Sequence, residues 1–159
     1  MGAINNAFNQ AVGTAAGAAL AIKHAQESDF SKMNSADNSA LIARNQSRAA
    51  SAEANEAVNE AKKDGGLFSQ LSEAEVTEGE AKKAFEKAAN RKNGSPITIL
   101  NKMTELKAAK KAADTLRDKY KAVEDLQARA TEQRRYAAKA TQIALDEKTK
   151  YEKRWGGIR

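Results

Sequence analysis

Residues 33–61 read MNSADNSALIARNQSRAASAEANEAVNEA, and the spacing of small side chains in this stretch decides the fold. Small or apolar residues recur there at alternating steps of three and four, at Met33, Ala36, Ala40, Ala43, Ser47, Ala50, Ala54, Ala57 and Ala61. This is the 3.5-residue period of a coiled-coil seam. Because alanine buries little area, one such helix pair is expected to be weak alone. The pattern therefore predicts a homo-oligomer whose seam contains Ala36, Ala40, Ala43, Ala50, Ala54 and Ala57.

The composition favours an all-α chain. The 159 residues include one proline and nine glycines, and Ala, Glu, Lys and Arg, which form helices well, are abundant. Aromatic residues make up only 5% of the chain, which argues against one thick core. Residues 97–155 contain no glycine or proline, and a helix of that length is typical of a rod. We expect an elongated helical hairpin or coiled-coil-like rods with small-residue seams, joined in an oligomeric assembly.

Glycine pairs and the single proline divide the chain into helical segments. Ser95 is placed as the N-cap and Pro96 as the first helical residue of the last helix. Ser72 and Glu75 have the spacing of a capping box, which marks Ser72 as a candidate helix start. The predicted segments are an uncharged helix at 1–22, an alanine-seam helix at 23–64, a second amphipathic helix at 67–93, a long basic helix at 96–155 and a tail at 156–159.

The segment from residue 2 to residue 22 reads GAINNAFNQAVGTAAGAALAI and holds no charged side chain. As a helix it would be about 31 Å long, which matches the hydrocarbon thickness of a bilayer. Ile4, Phe8 and Val12 gather on one side of that helix, and side-chain amides gather on the other together with Gly13 and Gly17. Glycines at this spacing let two helices approach closely in a membrane. Two interpretations stay open: a helix packed inside a protein assembly, and a helix that inserts conditionally into a membrane.

Basic residues concentrate in the last helix. Residues 96–159 carry 16 Lys or Arg against nine Asp or Glu, a net charge of +7, and this favours polyanions such as nucleic acid or anionic lipid. The candidates for nucleic-acid contact are Arg129, Arg134, Arg135, Tyr136 and Lys139, where the tyrosine would stack on a base. A basic solvated face is the competing interpretation. Tyr151 and Trp155 resemble an interfacial membrane anchor, or they dock on a neighbouring subunit.

The sequence contains no recognisable catalytic constellation, and we predict that the protein is not an enzyme and needs no cofactor. His24 is the only imidazole, has no acid fixed near it by spacing, and is expected to be exposed or interfacial. Glu73, Glu75, Glu78 and Glu80 lie close together, but Lys82, Lys83 and Lys87 follow at helical spacings. We interpret these glutamates as a solvated face and predict no metal site.

The chain resembles a small bacteriophage internal virion protein. The uncharged GAINNAFNQAVGTAAGAALAI is followed directly by HAQESDFSKMNSADNSALIARNQSRAASAEANEAVNEA, a layout similar to that of ejection proteins of short-tailed phages and DNA pilot proteins of microviruses. The resemblance implies a structural protein of the virion interior or the tail and portal region, which moves to the host cell envelope. There it would form a helical oligomer or conduit for DNA. Its implied partners are further copies, other virion proteins, DNA and the host membrane.

Two other classes share parts of this pattern. A helical membrane-active toxin or secretion translocator would have the same membrane-ambivalent first segment and small-residue seams. A desiccation-type protein that becomes helical on drying would share the richness in Ala, Lys and Glu. Low helicity in dilute buffer, measured by circular dichroism, would favour the desiccation class.

Overall fold

The computed structural model describes residues 2–157, with side chains from residue 4 onward except those of residues 8 and 11. These residues form three helices, α1 (Gly2–Lys62), α2 (Leu67–Ala89) and α3 (Pro96–Trp155), and no strand. The predicted all-α fold class is therefore confirmed. The side chain of Phe8, which the sequence placed on the apolar side of the first segment, lies outside the described residues.

The helix limits differ from the predicted segments in three places, the first of which is the end of α1 at Lys62, before the predicted residue 64. α1 continues without a break past residue 22, so the uncharged segment and the alanine-seam segment belong to one helix of 61 residues. α2 ends at Ala89, before the predicted residue 93, and its C-cap Asn90 donates the last helical hydrogen bond to the Glu86 carbonyl at 3.0 Å. α3 begins at Pro96, the expected first helical residue, and the Ser95 carbonyl accepts a hydrogen bond from the Ile99 amide.

A glycine turn separates α1 from α2. Gly65 has a φ of 71°, a left-handed conformation that favours glycine, and the Gly66 amide donates to the Lys63 carbonyl at 2.8 Å. α2 then starts at Leu67 with Gly66 as its N-cap, and no side chain caps it. The capping-box prediction at Ser72 is wrong, because the turn ends early enough for the helix to begin five residues before that serine.

The chain forms two compact units. The first contains the residues up to Ser47 together with those from Gln133 onward, and the second contains Arg48–Glu132. In the first unit α1 and α3 are antiparallel: Phe30 stacks against Tyr151 at 5.7 Å between ring centroids, whereas Ser39 shares a groove with Tyr136. The first unit thus consists of two helices, and its buried apolar side chains are Ala40, Ala43, Ala137, Ala144 and Trp155.

The second unit contains the end of α1, all of α2 and the beginning of α3. The ring of Phe68 on α2 lies 5.5 Å from that of Tyr120 on α3. Fully buried alanines lie on α1 and α3, at Ala54, Ala61, Ala113 and Ala130. Half-buried large apolar side chains surround them, including Leu67, Leu71, Phe85, Met103, Leu106, Leu116 and Val123. This unit therefore combines an alanine seam with larger apolar contacts.

The alanine seam is covered within a single chain. Ala40, Ala43 and Ala54 are at most 4% exposed, and Ala36, Ala50 and Ala57 are half-buried. The expectation that this face is the seam of an oligomer needs correction, because the chain's own helices already cover it. Alanine faces pack closely whether they belong to one chain or to two, so the period alone did not distinguish the two cases. Association of several copies remains a prediction, and the buried alanines of the seam are not available for it.

Gly79 offers a simple test of the helical assignment of α2. A Cβ at this position would meet nothing within 4 Å, so replacing Gly79 with alanine is expected to stabilise the protein by about 0.5–1 kcal/mol through helix propensity. Gly66→Ala is the matched control, since its Cβ would lie 2.7 Å from the Glu60 and Lys63 carbonyl oxygens and should destabilise. Urea unfolding followed by circular dichroism measures both. A loss of stability in Gly79→Ala would contradict an open helical position.

Candidate interaction surfaces of the first unit

The uncharged segment of α1 is exposed over its whole described length. Every described side chain from Ile4 to His24 is exposed, with Ile4 at 77% and Leu20 and Ile22 each at 54%. Val12, on the same side as Ile4, is 51% exposed. Most of the exposed large apolar side chains in the described part of the chain belong to this first unit. Contiguous exposed apolar surface of this kind marks sites of interaction with proteins or membranes.

Gly13 and Gly17 face open space. A Cβ on either glycine would meet no atom within 4 Å, so nothing described in the chain packs on this face. The nearby Thr14 hydroxyl donates to the Gln10 carbonyl at 2.8 Å and so satisfies its own donor within the helix.

Within residues 2–157, no helix has a stretch long and apolar enough to cross a bilayer. His24, just after the segment, is exposed, and its Nδ1 lies 4.0 Å from Glu27 Oε2.

A clasp of three side chains, those of Asp29, Arg154 and Trp155, joins the end of α3 to α1. Trp155 Nε1 donates to Asp29 Oδ2 at 3.0 Å, and Arg154 Nη1 donates to the same oxygen at 2.8 Å. Arg154 also lies over the indole ring, 4.9 Å from its centroid. Because Trp155 is only 7% exposed, the expectation that it anchors in a membrane interface or docks on a neighbouring subunit is wrong. Its ring is buried in its own chain, and the half-buried Tyr151 stacks on Phe30 beside it.

The clasp changes the acidity of Asp29. The hydrogen bond from the Trp155 indole, and the charge of Arg154, hold the pKa of Asp29 below its ordinary value of 3.8, although partial burial opposes them. A carboxyl whose pKa is lower in the folded state stabilises the fold above its unfolded pKa. That stabilisation is lost as the pH falls through the folded pKa.

The clasp therefore predicts an acid-sensitive contribution to stability. Asp29→Asn should lower the melting temperature at about pH 7, and its difference from the wild type should shrink in acid, as the pH falls through the lowered pKa of the Asp29 carboxyl. Asp37→Asn, an exposed position on the same helix, is the control. Thermal melts across the pH series provide the measurement. An Asp29→Asn deficit that persists unchanged in acid would contradict the role of the charge.

A groove of about 750 Å³ runs along the helix pair of the first unit. Its α1 side presents the hydroxyls of Ser31, Ser35 and Ser39, with Lys32 and Ala36 between them. Its α3 side is made by Tyr136, Lys139, Ala140, Ile143 and Glu147. Tyr136 is 60% exposed and Ile143 is 49% exposed, so both present apolar surface to the groove and to solvent.

The five nucleic-acid candidates do not all lie in one unit. Arg129 belongs to the second unit, whereas Arg134, Arg135, Tyr136 and Lys139 belong to the first, and all five are exposed. Of these, Tyr136 and Lys139 line the groove. Residues 133–159, the last part of α3 and the tail, carry eight Lys or Arg against three Asp or Glu, a net charge of +5. The whole chain has a net charge of +6. The interpretation as a phosphate-binding surface stays a prediction.

Glutamates of α2 pair with an arginine of α3, whereas the sequence suggested the lysines of α2 as their partners. Arg117 on α3 donates to Glu78 Oε2 at 2.8 Å, lies 3.6 Å from Glu75 Oε1 and also bonds Asp114. The hydrogen bond to Glu78, followed by that to Asp114, raises the pKa of Arg117 above its ordinary value. Among the described residues, no group of three or more His, Cys, Asp or Glu side chains is arranged to hold a metal ion. Glu75 and Glu78 thus form an ion-paired contact between helices of the second unit, whereas Glu73 and Glu80 are exposed, as expected of a solvated face.

Sequence reasoning missed the contacts between helices inside each unit. Asp29 and Trp155 are 126 positions apart, and Glu78 and Arg117 are 39 apart, so no local spacing connects them. Comparison with known proteins adds no identification: the chain matches no protein-family model, no curated protein and no solved structure at a significant level.

Proposed function

We propose that the protein is a structural virion protein of a bacteriophage that takes part in moving the genome across the host envelope, as part of a helical oligomer. The observation that carries this proposal is the uncharged segment of α1, whose described side chains are all exposed. A single helix with one apolar side and one amide side exposes apolar surface in water, and in lipid its amides lack hydrogen-bond partners. In a bundle of several copies, polar side chains of a neighbouring copy would satisfy the amide side, and the apolar side would face outward.

The arrangement of the segment supports such a bundle. Ile4 and Val12 lie on one side of the helix, and Asn5, Asn9 and Gln10 lie on the other. The open faces of Gly13 and Gly17 allow neighbouring helices to approach closely.

The basic end of α3 supports nucleic acid as the cargo. The net charge of +5 on residues 133–159 lies in the same unit as the uncharged segment. Lysines and arginines at this density favour phosphate contacts. One unit thus combines a surface suited to a membrane with a surface suited to a polyanion.

The experiment that tests the membrane step uses anionic liposomes loaded with a fluorescent single-stranded oligonucleotide. The full-length protein should release it. Gly13→Leu combined with Gly17→Leu should abolish release by blocking close helix approach. The matched control is Ala15→Leu with Ala19→Leu, which adds the same type of side chain to the opposite side of the helix. Equal release by the two double variants would show that the glycine face is not needed. If the wild-type protein releases no oligonucleotide, the proposed membrane step is refuted.

The nucleic-acid step is tested by fluorescence anisotropy with the same oligonucleotide. Arg135→Gln with Lys139→Gln should weaken binding and lower the slope of log affinity against log salt by up to about 2. Lys119→Gln with Lys121→Gln, exposed positions of α3 in the second unit, is the control. Liposome leakage by a protein that binds no oligonucleotide would favour a membrane-active toxin or translocator instead.

A further inference from the structure

The groove of the first unit has the dimensions of a site for a third helix. Ser31 and Ser39 are eight residues apart on α1, so the serine side of the groove extends about 12 Å, or two helical turns. Serine and alanine side chains are short and allow a further helix to approach more closely than the usual 8–10 Å. The unit itself supplies only two helices, and nothing described in the chain fills the groove.

Charge restricts which helix can enter. Lys32 and Lys139 flank the groove against a single acid, Glu147, and the adjoining part of α3 is strongly basic. A basic helix would be repelled there, and each fixed charge brought against the apolar side chains would be partly desolvated. A helix without charge avoids both costs. In this sequence, residues 2–22 form the longest stretch without a charged side chain.

The occupant cannot be the chain's own uncharged segment. α1 runs without interruption from Gly2 to Lys62, so residues 2–22 continue the same helix that carries Ser31, Ser35 and Ser39. A continuous helix does not fold back onto its own side. Only the segment of another copy has the freedom to lie in the groove.

We propose that the uncharged segment of one copy docks as a third helix in the groove of a second copy. Its amide side, with Asn5, Asn9 and Gln10, would face the hydroxyls of Ser31, Ser35 and Ser39, and hydrogen bonds between them would satisfy both sets. The exposed apolar side chains of Tyr136 and Ile143 would be covered at the other wall. This contact deepens the proposed function, on whose oligomer it rests, by naming the surfaces through which copies join.

Crosslinking between copies tests the contact directly, because the chain contains no cysteine. Full-length Asn9→Cys protein is mixed with full-length Ser35→Cys protein and treated with a short bis-maleimide. The expected product is a crosslinked heterodimer. The control mixture pairs Asn9→Cys with Asn55→Cys, an exposed position of α1 in the second unit, and should yield little heterodimer. Equal yields in the two mixtures would overturn the proposal.

A second measurement does not depend on crosslinking. Ser35→Trp fills the groove and should weaken self-association in sedimentation experiments about tenfold or more. Asn34→Trp places the same side chain on an exposed position outside the groove lining and should leave association unchanged. Circular dichroism verifies that both variants fold.

The outcomes separate this contact from the proposed function. Copies that associate and release oligonucleotide without the Asn9–Ser35 crosslink would reject the docking contact and leave the proposed function standing. A protein that stays monomeric in buffer and on liposomes would reject both. Protection of Ser35→Cys from maleimide by an oligonucleotide, but not by added protein, would assign the groove to nucleic acid and overturn the proposal.

Discussion

Replacing Trp155 with alanine is expected to lower the free energy of unfolding by about 3–5 kcal/mol, the usual cost of removing a buried aromatic side chain. Trp155 is 7% exposed, and its indole N–H donates to Asp29, so truncation removes both packing and a hydrogen bond from the clasp. The other fully buried apolar residues of the first unit are alanines, which gives this unit no second large anchor. Urea unfolding followed by circular dichroism measures the loss.

One further variant separates the hydrogen bond of Trp155 from its packing, and a second variant serves as an exposed control. Trp155→Phe keeps a ring but removes the donor to Asp29, and should cost about 1–3 kcal/mol. Tyr136→Ala removes an aromatic side chain that is 60% exposed on the same helix, and should change stability by no more than about 0.5 kcal/mol. A Trp155→Ala protein as stable as Tyr136→Ala would show that the clasp does not hold the two helices together.

Enlarging the alanine seam should also have a large effect. Ala43 is 1% exposed in the first unit and Ala113 is 0% exposed in the second, so leucine at either position is expected to overpack the interior and cost about 1–3 kcal/mol. Because the two positions lie in different units, the double variant should lose about 2–6 kcal/mol. Chemical unfolding of the single and double variants provides the measurement.

Exposed alanines on the same helices supply the control. Ala49→Leu and Ala112→Leu make the same substitution at exposed positions, and leucine is nearly as good a helix former as alanine, so both variants should retain normal stability. If the seam instead joined separate copies, Ala43→Leu would change the sedimentation coefficient and leave the unfolding of the monomer unaffected. That result would contradict the burial seen within the chain.

Local features of the sequence predicted the helices and their inward faces. Helix propensity and the 3.5-residue spacing act over a few neighbouring residues, so they identified the seam from Met33 to Ala61 and the start of α3 at Pro96. The capping signal at Ser72 was misleading because the left-handed conformation of Gly65 let α2 begin earlier. Local signals compete within a turn, and the backbone geometry of that turn selects between them.

The sequence by itself determined that this chain is helical, which faces of its helices are apolar, and that residues 2–22 carry no charge. Only the tertiary structure decided what those faces touch: the alanine seam is covered by the chain's own helices, Trp155 binds Asp29, and the described side chains from Ile4 to His24 are left exposed. The physical reason is that alanine faces are complementary to any other alanine face, so their partner is set by contacts far apart in sequence. Asp29 with Trp155, and Glu78 with Arg117, are such contacts, and no periodic pattern encodes them.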